Sequence, residues 1–161
     1  MSNSDSISRV ALKKITPDVS GAMGSLHAAA VSAARDAKVE PEILELIRIR
    51  ASQINGCAFC LDMHTKDARA RGETEQRIYA LSAWRETPFF TDRERAALAL
   101  SEAVTLVHDG HVPADVYAAA SKVFDEQQVA ALIWVATVIN AYNRIAIATR
   151  MVPGAYQPVQ T

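Results

Sequence analysis

Cys57 and Cys60, three positions apart, and His64, one helical turn further on, are the residues of this chain best equipped for chemistry. Two thiols at that spacing can close to a disulfide and reopen, and an imidazole beside them can move protons near neutral pH. The run from Cys57 to Arg71 holds neither proline nor glycine and predicts a helix, on which each residue advances about 100°. The three side chains then fall on one face, within about 60° of one another. Cβ atoms at i and i+3 are about 5–6 Å apart, and a disulfide needs Cα atoms about 4.4–6.8 Å apart, so the pair can switch by local adjustment. Asn55-Gly56 breaks the preceding helix and places Cys57 in the first turn of the new one, where unpaired amides and the helix dipole favour a thiolate.

The same residues admit plainer assignments. Zinc takes four ligands, and this helix offers Cys57, Cys60 and His64, leaving His27, His108 or His111 to supply the fourth. The thiols could also be inert core residues. His27 sits among alanines and His108 and His111 flank a turn, so all three read as structural. His64 could simply bond Asp67 at i+3. A proton relay needs a carboxylate as well, and two are candidates: Asp67, toward the solvated end of the helix, and Glu45, beside Ile49 and Ser52 on a half-apolar face of the helix before. The plain reading of Glu45 is a surface pair with Arg48, worth roughly 0.3–0.5 kcal/mol.

Positioning these groups falls to helices. Apolar residues recur at helical spacing throughout, with no sustained two-residue alternation. The expected fold is all-α: one compact domain over residues 1–161, with about six to seven helices after a partly ordered polar arm at 1–16. A first helix is predicted from Pro17 to Ala37 with a stripe of Met23, Leu26, Ala30 and Ala34. A second runs from Pro41 to Asn55 with Leu44, Ile47, Ala51 and Ile54 on one side. The CxxC helix covers about 57–71 and stops at Gly72. Thr74 opens a helix to about Arg85, and the Thr91/Glu94 capping box opens another to His108. A helix from Pro113 to Phe124 and one from Asp125 to about Arg150 complete the set. In the last, Val129 to Ile139 is apolar apart from Thr137, too short to span a membrane and apolar on every side. A second copy would cover such a helix most simply, so a homo-oligomer is expected.

Lys plus Arg number 17 against 18 Asp plus Glu, a net charge of -1 with both signs scattered, which offers nothing to nucleic acid or an anionic membrane. Met1 to Ile7 is polar and no apolar stretch follows, so no secretory signal is expected and the location is read as cytoplasmic. In a reducing cytosol a CxxC pair is catalytic, redox-sensing or metal-binding more often than a permanent staple.

The stretch from Glu45 through Gly56, Cys57 and Cys60 to His64 resembles the signature of the AhpD-like alkylhydroperoxidases of the carboxymuconolactone decarboxylase superfamily: a glutamate, eleven residues, CxxC, three residues and a histidine. The similarity continues through Gly72 to Arg77 and Ala83-Trp84-Arg85 to Ala141-Tyr142-Asn143-Arg144. It implies a helical fold assembled as trimers or hexamers, with the active site beneath a helix junction, and it implies reduction of hydrogen peroxide or alkyl hydroperoxides. By that resemblance Cys60 is the attacking thiolate, Cys57 the resolving thiol nearer the surface, His64 the proton carrier and Glu45 the base. An external dithiol, a lipoyl group or a thioredoxin-like protein, is expected to restore the pair, with no bound metal or flavin. Well-studied members carry a second histidine between the cysteines, where this chain has Phe59. Two alternatives stand beside peroxidase: a decarboxylase or lactone-processing acid–base enzyme, for which the thiol pair is superfluous, and a non-enzymatic redox sensor.

Overall fold

Proline and capping side chains set where the helices start. A computed structural model describes residues 9–158, which form helices joined by turns. In chain order these are α1 (Leu12–Ile15), α2 (Pro17–Asp36), α3 (Pro41–Asn55), α4 (Ala58–Ala70), α5 (Glu75–Ala80), α6 (Asp92–Thr105), α7 (Ala114–Val123) and α8 (Glu126–Thr149), with a 3-10 segment, Leu81–Glu86, after α5. Proline occupies the first turn of α2 and α3, where its missing N–H costs nothing. Reciprocal capping boxes open α6 at Thr91 and Glu94 and α8 at Asp125 and Gln128.

The all-α expectation holds, with more and shorter pieces than the spacing suggested. The arm contains α1, while residues 1–8 lie outside the described residues. The helix expected from Thr74 to Arg85 tightens at Leu81, and this turn brings Trp84 and Arg85 onto Glu102 of α6. The helix expected to reach His108 stops at Thr105, and the chain runs on in turns to Gly110, with the Asp109 amide on the Leu106 carbonyl at 2.7 Å. The stripe on α2 also differs: His27 is partly buried where Leu26, 38% exposed, faces outward.

α3 is the centre of the molecule. Ile43, Leu44, Leu46, Ile47, Ile49 and Ala51 are buried on nearly all its sides, against α4, α6 and α8, each large side chain contributing about 1.5–3 kcal/mol of transfer free energy. α8 is long and apolar enough to cross a membrane, yet half of its most apolar stretch is buried inside this chain. Its exposed residues include Ala130, Trp134, Thr137, Arg144 and Ile147, with Trp134 50% and Ile147 47% exposed. Between α3 and α4 the chain turns at Gly56, whose φ of +69° closes α3 while the Cys57 amide bonds back to the Ser52 carbonyl at 3.0 Å.

A buried charge cluster ties α3, α6 and the 3-10 segment together. Glu102, 8% exposed, accepts from Arg50 at 2.6 Å, from the Trp84 indole at 2.9 Å and from Arg85. Burial pushes the Glu102 carboxyl up, but the hydrogen bonds from Trp84, Arg50 and Arg85 outweigh it and hold the group below its ordinary 4.5. Its depressed value means that this contribution is complete above the unfolded value near 4.5 and is lost as pH falls through the folded value. Glu102→Ala leaves Arg50 without its carboxylate and is expected to cost about 3 kcal/mol, the low end for a broken buried pair because Arg85 is 56% exposed. Thermal unfolding at pH 7 should show a fall of roughly 10 °C, shrinking toward zero in acid.

Candidate active site

Cys57 is the N-cap of α4 rather than a residue of its first turn: its backbone is extended and its sulfur accepts the Cys60 amide at 3.4 Å. The sulfur thus takes the place of the oxygen that usually caps a helix. Both cysteines are free thiols in this structure, packed with Ala51, Ile139 and Ala146. The resemblance places Cys57 nearer the surface, and here the structure differs. Cys57 is 1% and Cys60 2% exposed, and Cys60 is the one that lines a cavity. The cause is the cap geometry, which folds Cys57 inward over the start of α4.

That cavity, of about 1780 Å³, lies among α2, α3, α4 and α8, larger than the roughly 300–1,000 Å³ of an ordinary small-ligand pocket. Met23, Phe59, Val135 and Ile139 contribute to an apolar wall, and Cys60, His64 and Glu45 to its reactive side. Phe59, at the position of the family's second histidine, makes that wall apolar where a proton carrier would stand.

Glu45 and His64 meet across the α3–α4 junction. His64 Nδ1 lies 3.0 Å from Glu45 Oε2, and Arg48 donates to Glu45 Oε1 at 2.6 Å. Glu45 is 4% and His64 6% exposed, so the Glu45–Arg48 pair exists but is an interior contact, not a surface one. Burial pushes the Glu45 carboxyl up, yet the His64 hydrogen bond and the Arg48 guanidinium outweigh it and hold the group ionised, below its ordinary value. An ionised carboxylate only accepts, so His64 Nδ1 carries the hydrogen in that bond, and in the neutral ring the lone pair is then on Nε2. Cys60 sits one turn back on the same helix.

Burial dominates at Cys60, whose thiol is pushed up to about 12. Bonding to Cys57 contributes to that rise, and the Asn143 amide offsets part of it. The helix start therefore does not deliver a ready thiolate at Cys60, and ionisation there requires a base.

Asp67, the rival carboxylate, has another partner. It accepts the Tyr156 hydroxyl at 2.6 Å, which raises that phenol to about 12, in a C-terminal stretch whose Gly154 amide also bonds Asp62 at 2.9 Å. Glu45, His64 and Asp67 present ligand atoms within 4.8 Å of one another, and this group includes neither cysteine. Both Glu45 oxygens are already engaged, and the guanidinium of Arg48 opposes a cation there.

His27, read from the sequence as structural, also lines the cavity, edge-on to Tyr142 with ring centroids 5.8 Å apart. Burial, with the Arg48 charge behind it, lowers its pKa. Its position four residues after Met23 and three before Ala30 was the available signal. His108 and His111 are exposed and do not line the cavity. Arg48 and Tyr156 escaped the sequence reading altogether as members of the site; for Tyr156 nothing in local spacing points to α4.

The family model for the carboxymuconolactone decarboxylase family matches residues 17–103. An uncharacterised Bacillus subtilis (strain 168) protein, YdfG, is 54% identical over 104 residues, 65% of this chain and 71% of that protein. A crystal structure of an Agrobacterium tumefaciens protein of unknown function, provisionally described as the antioxidant defence protein AhpD, is 33% identical, covers 93% of this chain and 100% of its own, and superposes with a TM-score of 0.84. A peroxidase-related protein from Silicibacter sp. TM1040 is 23% identical, with 84% and 70% of the two chains covered and a TM-score of 0.73, and shares the fold. The chain belongs to the carboxymuconolactone decarboxylase family, as an AhpD-like member.

Proposed function

We propose that the protein is a thiol-dependent peroxidase that reduces hydrogen peroxide or alkyl hydroperoxides through Cys60 and Cys57. The observation that carries this reading is the buried Glu45–His64 pair on the wall of the cavity that Cys60 also lines. A thiol held near 12 reacts only if its proton is removed, and His64 Nε2, with Nδ1 tied to Glu45, is a base one turn away.

The steps balance as follows. His64 takes the Cys60 proton, and the thiolate attacks the terminal peroxide oxygen. The O–O bond breaks, a sulfenic acid forms on Cys60, and the leaving alkoxide or hydroxide takes the proton back from His64. Cys57 then attacks the sulfenic sulfur, releasing water and closing the disulfide. A dithiol reductant, a lipoyl group or thioredoxin-like protein, returns both thiols and is itself oxidised to a disulfide. The size of the cavity suits alkyl hydroperoxides. In the same reading the chain is one cytoplasmic domain acting as a homotrimer or homohexamer, with the exposed apolar residues of α2 and α8, such as Val19 and Trp134, covered by neighbouring copies.

The test is peroxide consumption driven by dihydrolipoamide. The proposal expects sustained turnover by the unaltered protein; a reversible disulfide without turnover with any dithiol or thioredoxin would instead make it a redox sensor. Cys57→Ser is expected to stop after a single turnover with Cys60 as a sulfenic acid, detected as a dimedone adduct on Cys60. Full steady-state turnover by that variant would remove Cys57 from the cycle.

A further inference from the structure

A chain of three amides runs behind the cysteines, and one backbone carbonyl fixes its direction. Asn140 bonds the Ala136 carbonyl at 2.8 Å and Thr105 Oγ1 at 2.9 Å through Nδ2. A carbonyl only accepts, so the atom facing it is the nitrogen and Asn140 Oδ1 must face the other way. That oxygen accepts from Asn55 Nδ2 at 2.9 Å and from Arg144 at 3.2 Å. The second hydrogen of Asn55 Nδ2 goes to Asn143 Oδ1, also at 2.9 Å. Asn143 is thereby left with its nitrogen pointing onward. One of its two hydrogens goes to Ser52 Oγ at 3.0 Å.

Its second hydrogen remains to be placed. Asn143 is completely buried, and it sits on α8 between Ile139 and Ala146, four residues after one and three before the other. Both of those residues belong to the buried cluster that holds Cys57 and Cys60, so Asn143 shares the face of α8 turned toward the cysteines. Ser52, its other partner, also accepts the Cys57 amide through its carbonyl. We propose that Asn143 donates its remaining N–H to the Cys60 sulfur and stabilises the thiolate, its direction fixed in advance by the Ala136 carbonyl through Asn140 and Asn55.

This rests on the reading of Cys60 as the attacking sulfur and supplies what the site otherwise lacks. Burial opposes a negative charge on Cys60, and the amide of Asn143 beside it works the other way, lowering its pKa. A prefixed donor in a dry site stabilises a developing anion without reorganisation. The asparagine in the apolar helix thus becomes part of the reacting group's surroundings rather than an interruption.

The test measures iodoacetamide alkylation of Cys60 against pH in the Cys57→Ser background, where one thiol titrates, with and without Asn143→Leu or Asn143→Asp. Removal of the donor is expected to move the midpoint upward and slow alkylation at fixed pH by at least about tenfold, the effect of one pKa unit. Asn143→Asp, which places a carboxylate by the sulfur, should be the slower of the two in alkaline solution. If Asn143→Leu does not fold, the isosteric Asn143→Asp carries the test. An unchanged midpoint and rate, accompanied only by a lower melting temperature, would reduce Asn143 to a structural role. Alkylation is read without peroxide, so a midpoint shift in a protein that fails to turn over hydroperoxide would sink the peroxidase reading and leave this one standing.

Discussion

Cys60→Ser is expected to lower peroxide consumption by at least about 10³-fold, to the level of the buffer reaction. Sulfur attacks peroxide oxygen as a thiolate, and a serine hydroxyl is both harder to ionise and a poorer nucleophile. The loss should not come from unfolding: the site is 2% exposed, and even a buried hydroxyl left without a partner costs only about 1–3 kcal/mol. The unaltered protein should show a matching pH signature. With Cys60 pushed up to about 12, its ionised fraction is small at neutrality, and the rate of sulfenic acid formation should rise with pH through the alkaline range. A single-turnover rate measured by rapid mixing from pH 6 to 10 reads this directly, and a flat profile would mean that ionisation of Cys60 does not limit the step.

Glu45→Gln is expected to lower the same rate by about 10²–10⁴-fold while leaving the helices in place. The reason lies in which ring nitrogen carries the hydrogen. The carboxylate accepts from His64 Nδ1 and from Arg48 at once. A glutamine oxygen that stays on Arg48 turns its NH₂ group toward His64, which then accepts at Nδ1 and carries its hydrogen on Nε2. The imidazole is still present, but with its lone pair on Nδ1 and a hydrogen already on Nε2 it can no longer take a proton through Nε2. The change also leaves the Arg48 charge, 12% exposed, without a counterion, so melting temperature should fall as well. Activity measured against pH separates the effects, since lost stability lowers the whole curve whereas the wrong tautomer removes the base-dependent limb. An unaltered rate would pass the base to solvent or to Asp67.

Most helices were legible in the sequence because their signals are local. Prolines at the starts of α2 and α3, the two capping boxes and the Asn55-Gly56 break each act within four residues. The 3-10 turn at Leu81 was not legible, because its cause lies in Trp84 and Arg85 reaching Glu102, seventeen or more positions away. Glu45 and His64 could be nominated by spacing and by resemblance, but only the packing of α3 on α4 decides that Glu45, and not Asp67, receives the imidazole. The inward turn of Cys57 follows from cap geometry that helical periodicity does not contain. Asn140 and Asn143 stand in the sequence directly after the apolar run of the last helix. Their meaning was not legible there, since Asn55 lies eighty-five residues from one and eighty-eight from the other. A buried amide must be paired, and that requirement was the one hint of a network available from sequence.

The central claim is that Cys60 and Cys57 are converted from two thiols to one disulfide by a single peroxide molecule. Intact mass and peptide mapping of the reduced protein after one equivalent of an alkyl hydroperoxide test it most directly. The account predicts a loss of two hydrogens, a Cys57–Cys60 bond in the mapped peptide, and complete reversal by dihydrolipoamide. An unchanged mass after the peroxide has been consumed, or oxygen added elsewhere with both thiols still free, would contradict it.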